Sequence, residues 1–500
     1  MAPNSDKEMT QKLYSLYQQI LEESEKAIAD FPLKKAVPNR DNLLAFLSLK
    51  KKITPLITNE LVKRGLFPLH QSHTHVVYTF IQILKHMGLH GNPSQYLHTP
   101  TPAEAGHMLN ERAVRLLGER WDQLQSSIMV TLDAKMIHEE FLMEKLLQNG
   151  MTIARINCAH NHEQIWGQII QTLRRVETKL REDGQYEGRS CKIFMDLGGP
   201  KVRVGQLVPE EILVKKGDTL RLYLDSNMIG RPAGEQGPAG IPVTLVKAFR
   251  NVRLNHRVFI DDGKIHGIVR EISNEYIEVE ILSPEHPLRV KQGKGLNLPD
   301  SLLSLNLPAL MEKDYQDLEF VTKHADIVGI SFVHSPLDLR KLREALERQG
   351  HSDLAVVAKI ETKDAVNQLA RIILEGLQFQ SFGIMIARGD LAVEVGPENL
   401  SDVQEEILRI CSAAYVPVIW ATGVLEKLTK KGMPARSEIT DAAQGKRADC
   451  VMLNKGPYIL DALVMLTKLL RAEEPDSPKL LEITELTRQF GVLDDNRKNS

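Results

Sequence analysis

LAVVAKIETKDAVNQLARIILEGLQFQSFGIMIARGDL, residues 354–391, is the stretch whose reading decides the fold. It holds two apolar, strand-like runs, and each closes on a pair of opposite charges. The first ends Lys359-Ile360-Glu361 and the second Arg388-Gly389-Asp390. Side chains two apart on a strand share a face, so each pair is expected to present one cation and one carboxylate together. Charge at the tail of a buried strand is costly unless partnered, and strand tails are where α/β enzymes keep their chemistry.

The same pattern extends outward from Ile128. Short apolar runs alternate with longer amphipathic stretches: 128–132, 152–157, 192–197, 326–332, 354–361, 383–390, 416–422 and 448–453. Near-continuous apolar, β-branched runs signify strands buried on both faces, as in a parallel sheet covered by helices. Eight of them, with no glycine-rich dinucleotide or Walker fingerprint, predict an α/β fold, a (β/α)8 TIM barrel. The gap between the third and fourth runs is too long for one crossover. Within it, 212–225, 257–272 and 275–282 alternate in strand period around Gly-Asp, Asp-Gly and Ser-Asn turns, predicting a small, inserted β-barrel-like lid domain.

Before the barrel the reading is helical. Ser5 and Glu8 suggest a capping box opening the first helix, 42–64 fits a second and 76–87 a third. Thr101-Pro102-Ala103-Glu104 opens a fourth. The resulting division is an N-terminal helical segment (1–122), a barrel (123–203 and 293–475), a lid (204–292) and a C-terminal tail (476–500). The helical segment carries no assigned function beyond packing or oligomer contacts, and a homo-oligomer is expected.

A net charge of −2 offers no reason to expect nucleic acid or an anionic membrane as partner. The four cysteines are scattered in apolar contexts, which excludes a zinc or disulfide framework and suits a reducing compartment. The N-terminus lacks a signal-peptide core and no run is long enough to span a membrane, so a cytoplasmic protein is expected.

The run ends collect Arg155, Asn157, Asp196, Ser331, Lys359, Glu361, Arg388, Asp390, Thr422 and Asn454, with Lys201 and Arg203 just past the third. Carboxylates among several cations suit a hard divalent ion holding a phosphorylated anion, and phosphoryl transfer asks for little else. Singly, each has a plainer reading: Lys359 with Asp390, or Arg388 with Glu361, as structural ion pairs, and Asp196 as a turn cap.

With these residues in view, the chain from about 126 to 475 resembles the pyruvate kinase family. The motifs are Ala-Lys-Ile-Glu (358–361), Met-Ile-Ala-Arg-Gly-Asp-Leu (385–391) and Ala-Arg-Ile-Asn (154–157). Val-Phe-Ile-Asp-Asp-Gly (258–263), Lys-Gly-Leu-Asn-Leu-Pro (294–299), Glu-Lys-Asp (312–314) and Ser-Phe (331–332) add to them. The resemblance implies transfer of a phosphoryl group from phosphoenolpyruvate to ADP, giving pyruvate and ATP in glycolysis, with Mg2+ or Mn2+. It implies that Glu361 and Asp390 bind the metal and that Lys359 stabilises the phosphoryl group. Arg155 and Ser331 would bind its oxygens, Thr422 would flank the enolate carbon, and the backbone at Gly389 and Asp390 would receive the carboxylate. Asn157, His160 and Arg203 match positions near the nucleotide phosphates.

Departures from the family pattern are specific. Asn157-Cys158-Ala159 and Asp196-Leu197-Gly198-Gly199-Pro200-Lys201 stand where K+-requiring members carry a serine, a threonine and a glutamate. Lys201, with Asp196, is read as a built-in replacement for the monovalent cation, so no K+ requirement is expected. On the nucleotide side, Thr131-Leu132-Asp133-Ala134 replaces Thr-Ile-Gly-Pro, Asn454-Lys455-Gly456 replaces Ser-Gly-Glu, and Gly423 replaces a glutamine. The family's C-terminal regulatory domain, and control by a sugar phosphate there, are not expected. Two alternatives stay open: another enolate-forming lyase or transferase on the same barrel, and a non-catalytic binding or regulatory protein.

Overall fold

The computed structural model describes residues 3–33, 37–89, 98–186, 190–235, 237–301 and 307–471. Five helices come first: α1 (Pro3–Asp30), α2 (Val37–Lys52), α3 (Pro55–Lys63), α4 (Val76–His86) and α5 (Pro102–Leu117). Two sequence expectations need correction. The first helix already begins at Pro3, ahead of Ser5, because a proline fits the first turn, where its missing N–H is not needed. The single helix over 42–64 is two, since Pro55 cannot continue α2 and Thr54 caps α3 by accepting from Ile57 N. Thr101 does form the capping box of α5, with Glu104.

The barrel begins with β1 (Ser127–Leu132), α6 (Glu140–Gln148), β2 (Met151–Asn157), α7 (Glu163–Glu182) and β3 (Lys192–Asp196). The chain then leaves it for β4 (Glu211–Val214), β5 (Thr219–Tyr223), β6 (Ala239–Pro242), β7 (Arg257–Ile260), β8 (Ile265–Ile272), β9 (Tyr276–Ser283), β10 (Leu288–Lys291) and β11 (Leu296–Asn297). These make a six-stranded sheet, β11-β7-β8-β9-β5-β6, and a β4–β10 pair. Strict alternation of buried and less buried residues along β9 gives this unit its own core, around Leu220, Ile241, Ile260, Val269 and Val279. Its sheet runs on to Asn297, beside the barrel.

The return supplies α8 (Glu312–His324), β12 (Ile327–Ile330), α9 (Pro336–Gln349), β13 (Ala355–Ile360), α10 (Lys363–Asn367), α11 (Leu369–Gly376) and β14 (Phe382–Ala387). It finishes with α12 (Arg388–Val395), α13 (Leu400–Ala413), β15 (Val418–Ala421), α14 (Glu426–Lys431), α15 (Arg436–Gln444), β16 (Cys450–Leu453) and α16 (Ile459–Leu470). Eight strands close in the order β1-β16-β15-β14-β13-β12-β3-β2, all parallel, so the TIM barrel read from the apolar runs is present. Its interior is filled by Met129, Ile153, Phe194, Val357, Met385 and Ile419, so it is a packed core and not a pore.

The N-terminal helices are built into this body. Leu116 and Leu117, at the end of α5, join the barrel's interior layer, and a Cβ on Gly383 would come within 2.3 Å of Leu116 Cδ2. Gly383 lies near the start of β14, so α5 plugs the N-terminal mouth. On the outside, Asn42 Nδ2 donates to Ala413 O at 2.8 Å, fixing α2 to the end of α13, and Tyr415 OH donates to Thr74 O at 2.6 Å, fixing the segment before α4 to the turn that follows α13. No helix among the described residues is long and apolar enough to cross a membrane.

Candidate active site

Parallel strands bring their C-terminal ends to one rim, and the charged residues gather there. Asp196, at the end of β3, is fully buried and organises the first group. Its Oδ2 accepts from Arg155 Nε at 3.1 Å, from Arg155 Nη2, and from Lys359 Nζ at 3.2 Å. Lys359 Nζ also donates to Ser331 Oγ at 2.7 Å and lies 3.1 Å from Glu361 Oε1. Ser331 Oγ donates in turn to Leu197 O at 2.7 Å. Glu361 Oε2 accepts from Phe332 N at 2.7 Å, and Arg155 Nη1 reaches Thr131 Oγ1 at 3.1 Å. The structure thus pairs Lys359 with Asp196 and Glu361 and not with Asp390, and Asp196 binds side chains where a turn cap was the plainer expectation.

Burial is offset here by partners. It pulls the Lys359 ammonium down, but Asp196 and Glu361 hold it above its ordinary value, so it stays charged. It pushes Asp196 up, but Lys359 and Arg155 hold that carboxyl below the usual range. Glu361 differs: burial first, then the charge of Asp390, pushes it up against the pull of Lys359.

Asp390 forms a second group beside the first. Both its oxygens accept from Lys201 Nζ, at 2.9 and 3.0 Å, and Oδ1 also accepts from Asn297 Nδ2 at 3.2 Å. Asp262, on the turn between β7 and β8, lies 3.6 Å from the same ammonium. Lys201 therefore stands on Asp390 and not on Asp196. Asn297 and Asp262 were not singled out as site residues, although both lie in motifs that carried the resemblance.

The reading of 388–390 as a strand tail is overturned. β14 stops at Ala387 and Arg388 begins α12, so Arg388 and Asp390 point different ways. Arg388 stacks over Trp420, with its guanidinium carbon 4.5 Å from the ring centroid, and pairs with Asp441, not Glu361. It donates to Ala421 O at 3.0 Å and Thr422 O at 2.6 Å, bracing a Thr422 held at φ +68°. The turn is tight because Gly389 lacks a side chain: a Cβ there would come within 2.8 Å of Thr422 Cγ2.

These groups face one cleft of about 280 Å3, whose wall includes Arg155, Lys201, Lys359, Glu361, Asp390 and Thr422. Asn157, His160, Arg203 and Gly389 line it as well. Asn157 Oδ1 accepts from Ala159 N at 3.0 Å, and Arg203 Nη1 donates to Gly293 O at 3.0 Å. Burial, then Lys455, Arg203 and Arg155, hold the His160 imidazole below its usual value and keep it neutral. Ser331 is bonded to Lys359 behind the cleft. A second cavity of about 420 Å3 adjoins it and shares Arg155, Asn157, His160, Asp262 and Asn454.

Glu361 and Asp390 are the carboxylates on the cleft wall that could hold a divalent ion. The charge of Asp390 adds to the cost of ionising Glu361, and a hard cation between them would relieve it. Among the described residues no three His, Cys, Asp or Glu converge into a protein cage. Two carboxylates completed by water and substrate oxygens is the arrangement that Mg2+ accepts.

A family model described as pyruvate kinase, barrel domain, matches residues 123–458. A pyruvate kinase of Dictyostelium discoideum is 30% identical over 359 residues, covering 70% of this chain and 66% of that protein. One of Staphylococcus haemolyticus is 30% identical over 386 residues, covering 74% and 61%. One of Thermococcus litoralis is 32% identical over 339 residues, covering 66% of each. The chain thus spans somewhat under two thirds of the length of these curated relatives.

Proposed function

The chain belongs to the pyruvate kinase family, and from that premise we propose that it transfers the phosphoryl group of phosphoenolpyruvate to a nucleoside diphosphate, ADP by likeness to the family, giving pyruvate and the triphosphate. The observation that carries this reading is the convergence of Lys359, Arg155, Glu361 and Asp390 on one cleft, with Ser331 bonded to Lys359 behind it and a second cavity alongside. Arg155, Ser331, Lys359 and Glu361 are costly buried polar groups with the partly buried Asp390 beside them, in a geometry that suits a phosphoryl oxyanion.

Phosphoenolpyruvate enters with its phosphoryl oxygens toward Arg155, Ser331 and the Lys359 ammonium, which meets the charge that develops in transfer. Its carboxylate meets the first-turn amides of α12 at Gly389 and Asp390, which have no partner within the helix. The bond from phosphorus to the enol oxygen breaks and one to the terminal oxygen of the diphosphate forms. The enolate left behind takes a proton at its methylene carbon, on the Thr422 side, to become pyruvate. Glu361 and Asp390 would hold Mg2+ or Mn2+, which neutralises oxyanion charge when bound. Lys201 supplies the fixed positive charge that a monovalent cation would otherwise bring, so K+ is not required. Asn157, His160 and Arg203 flank the diphosphate, and Asp196 keeps Arg155 and Lys359 aimed. The turn at Asp262 closes the cleft from the lid side, and expelling water there strengthens the charges inside.

Following pyruvate in a mixture of protein, phosphoenolpyruvate, Mg2+ and a nucleoside diphosphate tests the reading. Turnover that needs the diphosphate and is lost in Lys359→Met supports it. Metal-dependent proton exchange at the methyl of pyruvate without phosphoryl transfer, or substrate binding with neither reaction, would replace it.

A further inference from the structure

The cavity beside the cleft has two ends. The residues it shares with the cleft, Arg155, Asn157, His160, Asp262 and Asn454, mark the end nearest the transferred phosphoryl group. The unshared residues mark the far end, where the buried Leu132, Trp166 and Ile169 form an apolar floor and Asp133, Lys430 and Lys455 supply charge. A diphosphate whose terminal phosphate meets the cleft carries its base toward that far end. An apolar floor with a few placed polar groups is what a base needs.

The charged pair there has a definite geometry. Asp133 Oδ2 and Lys455 Nζ stand 3.8 Å apart, within salt-bridge range but too far for a hydrogen bond. The other oxygen, Oδ1, accepts from Lys135 N at 3.1 Å, which fixes the carboxylate in place. Each group keeps capacity to bind something between or beside them.

We propose that Asp133 and Lys455 read the edge of a guanine, so that a guanosine diphosphate is the preferred acceptor over ADP. The proposal rests on the phosphoryl-transfer reading above. Guanine presents the O6 acceptor next to the N1–H and N2–H donors, and an ammonium beside a carboxylate matches that order. Adenine presents the reverse, an N6–H donor beside a bare N1, so Lys455 would face a donor and Asp133 a lone pair. A polar site that fits one base leaves its groups unpaired with the other, which is the effective way to discriminate. The Lys455 side chain is 53% exposed, so water softens the contrast. A preference on the order of 10- to 100-fold follows from one such edge pair.

The test uses the full chain with phosphoenolpyruvate and Mg2+, comparing kcat/KM for GDP and ADP from pyruvate release. The expected result is a GDP preference of at least about tenfold, carried mainly by KM, that collapses to within about threefold in Asp133→Ala and shrinks in Lys455→Met. Asp133 also caps its turn, so circular dichroism of the variant accompanies the rates. The Lys455→Met variant and the unaltered protein answer the question if Asp133→Ala does not fold. Equal use of the two diphosphates by the unaltered protein, or a preference that survives both substitutions, overturns the proposal while leaving phosphoryl transfer standing. Pyruvate from neither diphosphate overturns the phosphoryl-transfer reading, and this proposal with it.

Discussion

The ammonium of Lys201 rests on both carboxylate oxygens of Asp390, 2.9 and 3.0 Å away. The chain makes room for it: a Cβ on Gly295 would come within 2.4 Å of Lys201 Cε. A fixed cation is thus delivered to a carboxylate that lines the cleft beside Glu361. Initial rates in Na+ and K+ at equal ionic strength are expected to agree within about twofold. Lys201→Met is expected to lower kcat/KM roughly 100-fold. Several-fold activation of the unaltered protein by K+ would rule out the built-in cation.

Lys359 serves two purposes that can be separated. Lys359→Met leaves Glu361 buried beside Asp390 without its cation, at a cost of about 3–5 kcal/mol in stability. It is also expected to lower kcat by about 100- to 1000-fold. Adding Glu361→Gln removes the stranded charge, so thermal melting recovers part of the loss while activity stays low. Recovery of both together would mean that Lys359 acts only as a structural partner and that Glu361 holds no metal needed for turnover.

Buried hydrogen bonds add to the apolar packing that holds the N-terminal helices against the barrel. Asn42 Nδ2 donates to Ala413 O and His73 O, each at 2.8 Å, and its Oδ1 accepts from Val76 N at 3.2 Å. Asn42→Ala strands these backbone groups and is expected to cost about 2–3 kcal/mol. Limited proteolysis is expected to release the helical segment from the variant before the barrel is cut. An unchanged melting temperature and cleavage pattern would show that these hydrogen bonds contribute nothing.

Asp449 sits just before β16, accepting from Val418 N at 2.9 Å with Arg120 3.7 Å away. Burial, only partly offset by these two, pushes its carboxyl up to about 6. A raised folded value means that the group favours folding below its unfolded value near 4, and that this contribution is lost as pH rises through about 6. Asp449→Asn keeps an acceptor without the charge. Its melting temperature relative to the unaltered protein is therefore expected to rise from pH 4 to pH 7, by an amount worth about 2–3 kcal/mol. A difference flat across that range would contradict the shift.

Much of the barrel could be read from period and burial, because a strand covered on both faces has to be apolar throughout. The polar exceptions at the run ends marked the rim for the same reason. What stayed hidden was partnership. Asp196 and Lys359 are 163 positions apart, and nothing in either run says that they share a hydrogen bond. The period-two reading of 388–390 failed because it cannot see a turn whose cause, Gly389 against Thr422, lies on a neighbouring strand's loop. The plug made by Leu116 and Leu117 was invisible because an apolar helix end looks the same whatever it enters. Asp133 and Lys455 stood out as departures, yet only the fold brings them to one cavity wall.

Transfer of 32P from labelled phosphoenolpyruvate, measured together with pyruvate, tests the central claim most directly. With Mg2+ and a nucleoside diphosphate, labelled triphosphate and pyruvate are expected in equal amounts, both lost in Lys359→Met. Pyruvate with labelled inorganic phosphate and no labelled triphosphate, or neither product from any diphosphate, would contradict it.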